Sequence, residues 1–458
     1  MQEFDGFTRE QLIALVFALR DQLKQVTAQN AALESRVAQL EGRGGDPPVS
    51  PGPVGRSVPE WVKANRSKKA APARKKRRFA YVRRRLKPTR TVVHAPETCP
   101  DCNRKLSGGT LHHTREVIDL PPVDVEVVEH QFLSRWCGVC RKRVLARPDL
   151  SELASGKSRI GNRLTSLIAH LHTVSRMPLR VLRDLLRQHY RLEISLGEIA
   201  AVLHRVARAG EPIIAAFISR IRGSPVVHAD ETGYRENGIN GFMWSFSTRD
   251  TRYYMRDPSR GSKVPKSVLG AEFHGRLVSD FYSAYSYYLG ERQRCWVHLL
   301  RYLKELKERN ASNAGVAAFV GSVRNVFDAA RLVNSGELKQ RRKQRAAFQE
   351  QLLAVVRPYL RQPVPQRVLA ERIERFLSEL FVFVEYSDTP PDNNAAERAI
   401  RPAVIARKVS GGTRSVRGSK TMTVLRSLFE TWLLRGHDPL ECCRLLLGGR
   451  LSPDGNPC

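Results

Sequence analysis

Three acidic residues stand where a metal-dependent chemistry would need them. Pro225-Val-Val-His-Ala-Asp230 and Gly275-Arg-Leu-Val-Ser-Asp280 are short apolar runs that read as buried strands, each ending in a carboxylate. Two carboxylates set side by side repel unless a cation lies between them, and hard divalent ions such as Mg²⁺ or Mn²⁺ meet that need with oxygen ligands. A third acid comes from Pro391-Asp-Asn-Asn-Ala-Ala-Glu397. There Asn393 or Asn394 is expected to cap a helix whose first turns present Glu397, followed by Arg398 and Arg401, which suit phosphate. Asp388 and Asp392 fall before or at that cap, where structural roles are commoner.

A different donor set lies upstream. Cys99-Pro-Asp-Cys102 and Cys137-Gly-Val-Cys140 are two C-x-x-C knuckles with 34 residues between the inner cysteines. With strand-like sequence at 115–119 and 123–133, they fit a zinc ribbon whose four thiolates fill a tetrahedral site, leave no place for water and make the Zn²⁺ structural. A redox pair is the alternative; duplication of the motif and Gly138 favour metal. Cys295 and His298 form one more Cys-x-x-His pair, but two ligands do not make a zinc site. That pair is expected to pack in the core or to position substrate.

The elements that must carry the acids follow from periodicity. Strands are expected at 225–230, 241–248, 252–256, 275–280 and 292–296, the last running into a helix near His298. Three strands, a short helix, a strand, another helix and a strand is the order of a ribonuclease-H-like α/β core. Asp230, on the first strand, and Asp280, on the fourth, would then be neighbours at the sheet centre. Between Asp280 and Glu397 lie 116 residues, more than a strand and a helix need. The surplus carries helical stripes (Phe327, Ala330, Leu332; Leu352, Val355, Val356) and reads as a helical insertion lining a DNA channel, its basic stretch 339–345 being equally a solvated helix face.

Upstream, 159–208 is helical. Leu164, Leu167, Ile168 and Leu171 make one stripe, Leu179, Leu182, Leu185 and Leu186 a second, and Ser195 is expected to cap a third helix bearing Ile199, Val202, Leu203 and Val206. Helix, turn and helix on a basic chain suggest a helix-turn-helix module, with a plain three-helix bundle the alternative. At the start, Leu12, Val16, Leu19, Leu23, Val26, Asn30, Leu33, Val37 and Leu40 recur at spacings of 4 and 3, the heptad pattern of a coiled coil. Asn30 at an a position favours a parallel homodimer.

The chain has 458 residues and a net charge of +32, from 77 Lys and Arg against 45 Asp and Glu. Between Arg56 and Arg90 stand 15 basic residues and a single acid, Glu60. This arm includes Arg74, Lys75, Lys76, Arg77, Arg78, Arg83, Arg84 and Arg85, and such density points to sequence-independent phosphate binding. A hydrophobic content of 41% excludes a chain disordered throughout. No apolar run approaches the roughly 18 residues of a membrane span, and the apolar stretch 12–19 follows acids instead of a basic segment, as a signal peptide would not. A cytoplasmic, nucleoid-associated protein with reduced cysteines is expected. The expected domains are a coiled coil (1–42), a basic arm (43–92), the zinc ribbon (93–150), the helix-turn-helix-like domain (151–222), the core in two parts (223–309 and 389–445), the insertion (310–388) and a tail (446–458).

His228-Ala-Asp230-Glu-Thr-Gly, Ser279-Asp280-Phe-Tyr-Ser-Ala-Tyr, Cys295-Trp-Val-His298, Asp392-Asn-Asn-Ala-Ala-Glu397-Arg-Ala-Ile-Arg-Pro, Arg407-Lys408 and Ser415-Val-Arg-Gly418 together resemble the insertion sequence 66 family of DDE transposases. The likeness runs nearly the whole length of the chain. It implies that Asp230, Asp280 and Glu397 are a metal-binding triad. Two Mg²⁺ ions bridged by Asp230 would activate water to cut at a transposon end, then activate the freed 3′-OH to attack target DNA. It further implies terminal inverted repeats as partners, with Arg398, Arg401, Arg407 and Lys408 near DNA, and leaves room for accessory transposition proteins. A catalytically inactive zinc-ribbon DNA-binding regulator and a structure-selective nuclease with the same core are the competing readings.

Overall fold

The strands that carry the acids are continuous apolar runs with both faces to bury, and the rest of the chain is arranged to cover both. The computed structural model describes residues 21–23, 25, 27–29, 86–120, 123–156, 158–333 and 336–457. These fall into two compact units, Met1–Ile118 and Asp119–Cys458. Arg74 to Arg85 of the basic arm lie outside the described residues, as do all the heptad positions except Leu23. That residue is helical and 67% exposed.

In the first unit, a tight turn carries the first knuckle: the Asn103 N–H donates to the Cys99 carbonyl, the Cys99 N–H to that of Arg104, and Thr98 bridges Lys105. The second unit opens with an antiparallel hairpin, β1 (Ser134–Cys137) and β2 (Lys142–Leu145), holding the second knuckle at its tip. Strand-like alternation at 115–119 and 123–133 forms no strand. Val117, Ile118, Val127 and Val128 in these runs are exposed, and a strand without a partner ladder has nowhere to place its backbone donors.

The three expected helices are α1 (Asn162–Thr173), α2 (Leu179–Tyr190) and α3 (Leu196–Arg222). Ser195 caps α3, its hydroxyl accepting from the Glu198 N–H at 3.1 Å. The helix runs through Pro212 to Arg222, well beyond the expected end near 208. Ile168, Leu182, Leu186, Ile199, Val202, Val206 and Phe217 share one core with Leu428, Phe429 and Trp432 from near the far end of the chain. Each such burial contributes about 1.5–3 kcal/mol.

The sheet has five strands, β3 (Val226–Gly233), β4 (Phe242–Ser247), β5 (Arg252–Asp257), β6 (Arg276–Ser279) and β7 (Arg292–Arg294), in the order β5-β4-β3-β6-β7. The first three pair antiparallel, whereas β3–β6 and β6–β7 are parallel. Helix α4 (Lys263–Leu269) joins β5 to β6, and a single 3₁₀ turn, Ser283–Tyr285, stands between β6 and β7 where a helix was expected. On one face Val227, Ala229, Trp244, Phe246 and Leu277 pack under α4. On the other, Met243 and Tyr254 pack against Ile400 and Ala403 of α9 (Asn394–Ser410).

After β7 come α5 (Trp296–Arg309), α6 (Ala314–Ala330), α7 (Leu338–Val356), α8 (Arg367–Arg375) and two single-turn helices, Leu377–Leu380 and Val382–Glu385. They have their own core around Trp296, stacked on Phe327 with ring centroids 4.4 Å apart. Leu332 is not part of it: α6 ends at Ala330 and Leu332 is exposed. The basic stretch 339–345 is solvated on one side, at Lys339, Arg342 and Lys343, and turned inward on the other. Arg341 is buried and donates to the Val384 carbonyl at 2.7 Å, while Arg342 and Arg345 both pair with Glu385.

Helix α10 (Val416–Leu434) lies along edge strand β5, and α11 (Pro439–Leu447) follows it. The Ser427 hydroxyl accepts from the Tyr254 N–H, and the Thr431 hydroxyl both accepts from and donates to the Arg252 backbone. Side-chain hydroxyls thus take the place of a sixth strand. The same helix crosses α3 at Gly210, where an added Cβ would collide with the buried Leu428 side chain. Gly210→Ala, which in an exposed helix gains up to about 1 kcal/mol, is therefore expected to destabilise the chain by about 1–3 kcal/mol in thermal or urea denaturation.

Candidate active site

Strand register decides which side chains can meet. In the parallel β3–β6 pair His228 lies opposite Val278, so two residues on, Asp230 lies level with Asp280 just past the end of β6. With period two, His228, Asp230 and Thr232 face α9, whereas Ala229 and Glu231 face α4 and the 283–285 turn. The contacts agree. His228 Nδ1 lies 3.1 Å from Asn393 Oδ1, and the Thr232 hydroxyl accepts from Arg407. Glu231 points the other way, accepting from the Tyr285 hydroxyl at 2.6 Å and from Arg260 at 2.8 Å.

Glu397 is brought in by a single side chain. Asn393 occupies the cap position of α9, yet its amide caps nothing: it donates to the Ala229 carbonyl at 2.9 Å and meets His228, clamping the helix start onto β3 beside Asp230. Asp392 takes over the capping, accepting from the Asn394 N–H at 3.0 Å. Asp388 pairs with Arg276. Both rivals of Glu397 are therefore structural. Helical spacing places Arg401 and Lys408 along the face of α9 that carries Glu397, and both are exposed, as is Arg398. Arg407 is committed to the Gly233 carbonyl at the end of β3.

Asp280 is held from two sides. Its carboxylate accepts from the Tyr282 N–H at 2.9 Å, while its carbonyl accepts from Arg294 at 2.6 Å. Arg294 is fully buried, pairs with Glu379 at 2.6 Å and also reaches Ser279 and Ser286. Neither Arg294 nor Glu379 stood out in the sequence, although an Arg-Gln-Arg run between two apolar elements signals a buried ion pair. Glu231 and Arg260 were missed for the same reason. Tyr285 is buried and Tyr282 lies under Arg260, whose guanidinium is 4.0 Å from its ring, so both tyrosines pack.

Burial, then the Glu231, Asp280 and Glu397 carboxyls around it, push the Asp230 carboxyl up to about 8. A carboxyl shifted this far by burial and like-charged neighbours is a candidate functional acid. Glu397 Oε1 is buried without a hydrogen-bond partner, which also suits a cation ligand. The three carboxylates are not tightly gathered: among the described residues only Cys295, His298 and Glu397 bring ligand atoms within 4.8 Å of one another. Cys295 is buried, with its Sγ accepting from the Asn393 N–H at 3.2 Å, and burial pushes its thiol up.

Within each knuckle, the cysteines are neighbours. The Cys140 N–H donates to Cys137 Sγ at 3.4 Å, and local backbone N–H donors hold the Cys99 and Cys137 thiols below the usual range. Among the described residues no helix is long and apolar enough to cross a membrane.

A mixed sheet preceded by two paired-cysteine knuckles is the frame in which the similarities to known families fall. Residues 157–421 match the family described as Transposase IS66 family, and residues 96–141, which hold all four knuckle cysteines, match the zinc-finger binding domain of transposase IS66. The chain belongs to the IS66 family of transposases. Zinc and DNA binding follow from those two domains at the level of the family. The chain is also similar to two uncharacterized proteins of Sinorhizobium fredii (strain NBRC 101917 / NGR234). It is 24% identical to y4jD over 396 residues, 77% of this chain and 75% of that one. To y4qI it is 26% identical over 259 residues, 49% and 48% of the two chains.

The raised Asp230 carboxyl has a measurable consequence. The unfolded chain loses this proton near the ordinary value of 3.8 and the folded chain only near 8, so the metal-free protein loses stability as pH rises between the two. Asp230→Asn removes that loss. The variant is expected to melt above wild type at pH 7.5 without metal, with the gap closing at pH 4.5 and Mg²⁺ or Mn²⁺ raising the melting temperature of wild type only.

Proposed function

We propose that the chain cuts and joins DNA at a DDE site formed by Asp230, Asp280 and Glu397 in a ribonuclease-H-like core. One observation carries this reading: the parallel register that sets Asp230 and Asp280 level on adjacent strands, with the Glu397 helix clamped beside them by Asn393. The strand order β5-β4-β3-β6-β7, antiparallel then parallel, supports the assignment of the core.

The residues fit a divalent cation, Mg²⁺ or Mn²⁺, and two such ions would be held by the triad. Bound there, they supply a Lewis acid for the scissile phosphate and a lowered pKa for the attacking water or 3′-OH. Asp230, its carboxyl pushed up to about 8 by burial and the neighbouring carboxyls, would have to be deprotonated to serve as a ligand. Asp280 is fixed by the Tyr282 N–H and Arg294, and Glu397 closes the site from the first turn of α9. Arg401 and Lys408 are placed to hold the phosphates flanking the cut, with Arg398 at their side; Arg407 serves to tie α9 to β3.

Around this centre, Cys99, Cys102, Cys137 and Cys140 together hold one structural Zn²⁺. The arm from Arg74 to Arg85 holds DNA without sequence preference, and α1 to α3 act as the helix-turn-helix-like module for the terminal inverted repeats. The heptads pair two copies as a homodimer. This places the protein in the cytoplasm at the nucleoid, with accessory transposition proteins as further partners.

Asp280→Asn is expected to reduce metal-dependent nicking of end-containing DNA to background while leaving its binding constant within about twofold, since a carboxylate facing metal contributes little to phosphate affinity. Glu397→Gln should abolish strand transfer. A wild-type chain that binds ends and never cuts them is instead a regulator, and one that cuts branched DNA without joining is a nuclease. Dialysed protein should keep one zinc per chain, lost in Cys102→Ser.

A further inference from the structure

Cys295 and His298, expected to pack in the core or to position substrate, sit close to Glu397. Their sulfur and imidazole nitrogen and a Glu397 oxygen lie within 4.8 Å of one another, the one such group of three among the described residues. Topology accounts for it. The Cys295 N–H donates to the Ser279 carbonyl at 2.9 Å, extending the β6–β7 ladder one residue past Arg294, and α5 starts there, so His298 follows in its first turn. The Asn393 N–H that donates to Cys295 Sγ belongs to the residue that clamps α9.

Two further observations point to a ligand. His298 Nδ1 and Glu397 Oε1 are both buried without hydrogen-bond partners, and His298 Nε2 stops 3.8 Å from Glu397 Oε1, too long for a hydrogen bond. Cys295 Sγ is fixed in place by the Asn393 N–H, from which it accepts a hydrogen bond at 3.2 Å. One sulfur, one nitrogen and one oxygen are a poor set for Mg²⁺, which takes oxygen, and a good one for Zn²⁺ with its fourth position open.

We propose that Cys295, His298 and Glu397 form a second metal site, for Zn²⁺ or a similar borderline-soft ion, whose occupation withdraws Glu397 from the triad and switches cutting off. This rests on Glu397 being a ligand of the cutting site. Binding itself does not, and the test separates the two.

The full chain, with its knuckles already loaded, is titrated with Zn²⁺ against a chelating indicator, then with Co²⁺ followed by absorption. Wild type is expected to take a second, weaker equivalent showing thiolate-to-cobalt charge transfer. Cys295→Ser, which keeps a hydrogen-bond acceptor, should weaken it by about 100-fold or more, and His298→Gln should do likewise. Nicking at saturating Mg²⁺ is then measured with and without one added equivalent of Zn²⁺, each variant serving as its own reference. Wild type should slow by at least about tenfold and Cys295→Ser by less than about twofold, as expected when one ligand is removed. A second equivalent that survives Cys295→Ser, or one that binds and leaves nicking unchanged, overturns the proposal. If wild type shows no Mg²⁺-dependent nicking at all, the cutting reading fails while the titration still decides whether the site exists.

Discussion

Two carboxylates on adjacent central strands repel, and the chain spends much of its polar chemistry keeping them there. Parallel pairing of β3 with β6 brings Asp230 level with Asp280, and burial of Asp230 raises the cost of charging it. Nothing in the strands themselves opposes that repulsion. It is met from outside: Arg294 grips the Asp280 carbonyl from β7, Glu379 holds Arg294 from the insertion, and Asn393 fastens the α9 cap to β3. The insertion is thus a buttress for the end of β6, with Arg341, Arg342 and Arg345 of its basic helix committed to Glu385, Glu291 and three backbone carbonyls.

The alternation of β3 separates two acids that are adjacent in sequence and opposite in role. Asp230 faces Asp280 and the helix that carries Glu397; Glu231 faces Tyr285 and Arg260, which satisfy both of its oxygens. A slip of one residue in the pairing would exchange them, placing a salt-bridged acid where an open ligand is needed.

How much of this was legible in the sequence follows from how local each signal is. Asp230 and Asp280 were legible because each ends an apolar strand, and Glu397 because a helix start is written in the residues around it. Ser195 was legible as a cap for the same reason. Asn393 was read as a cap and is a tether, since an amide beside a helix start serves either purpose and the choice depends on a strand 164 residues earlier. The strand-like runs at 115–119 and 123–133 had the alternation of a strand but no partner. The core shared by α3 and α10 joins segments with no common sequence pattern, and the hydroxyls that close the β5 edge look, in sequence, like ordinary helix serines and threonines.

The insertion also sets when the site exists. Asp230 and Asp280 are made early, but a further 116 residues must leave the ribosome before Glu397 does. Contacts of such long sequence separation form late in folding, after the local helices and the antiparallel strands. A nascent chain therefore carries Asp230 and Asp280 without Glu397 or the Asn393 tether that seats its helix. A chain truncated anywhere in the insertion keeps the antiparallel strands and loses Ile400 and Ala403, which cover one face of them.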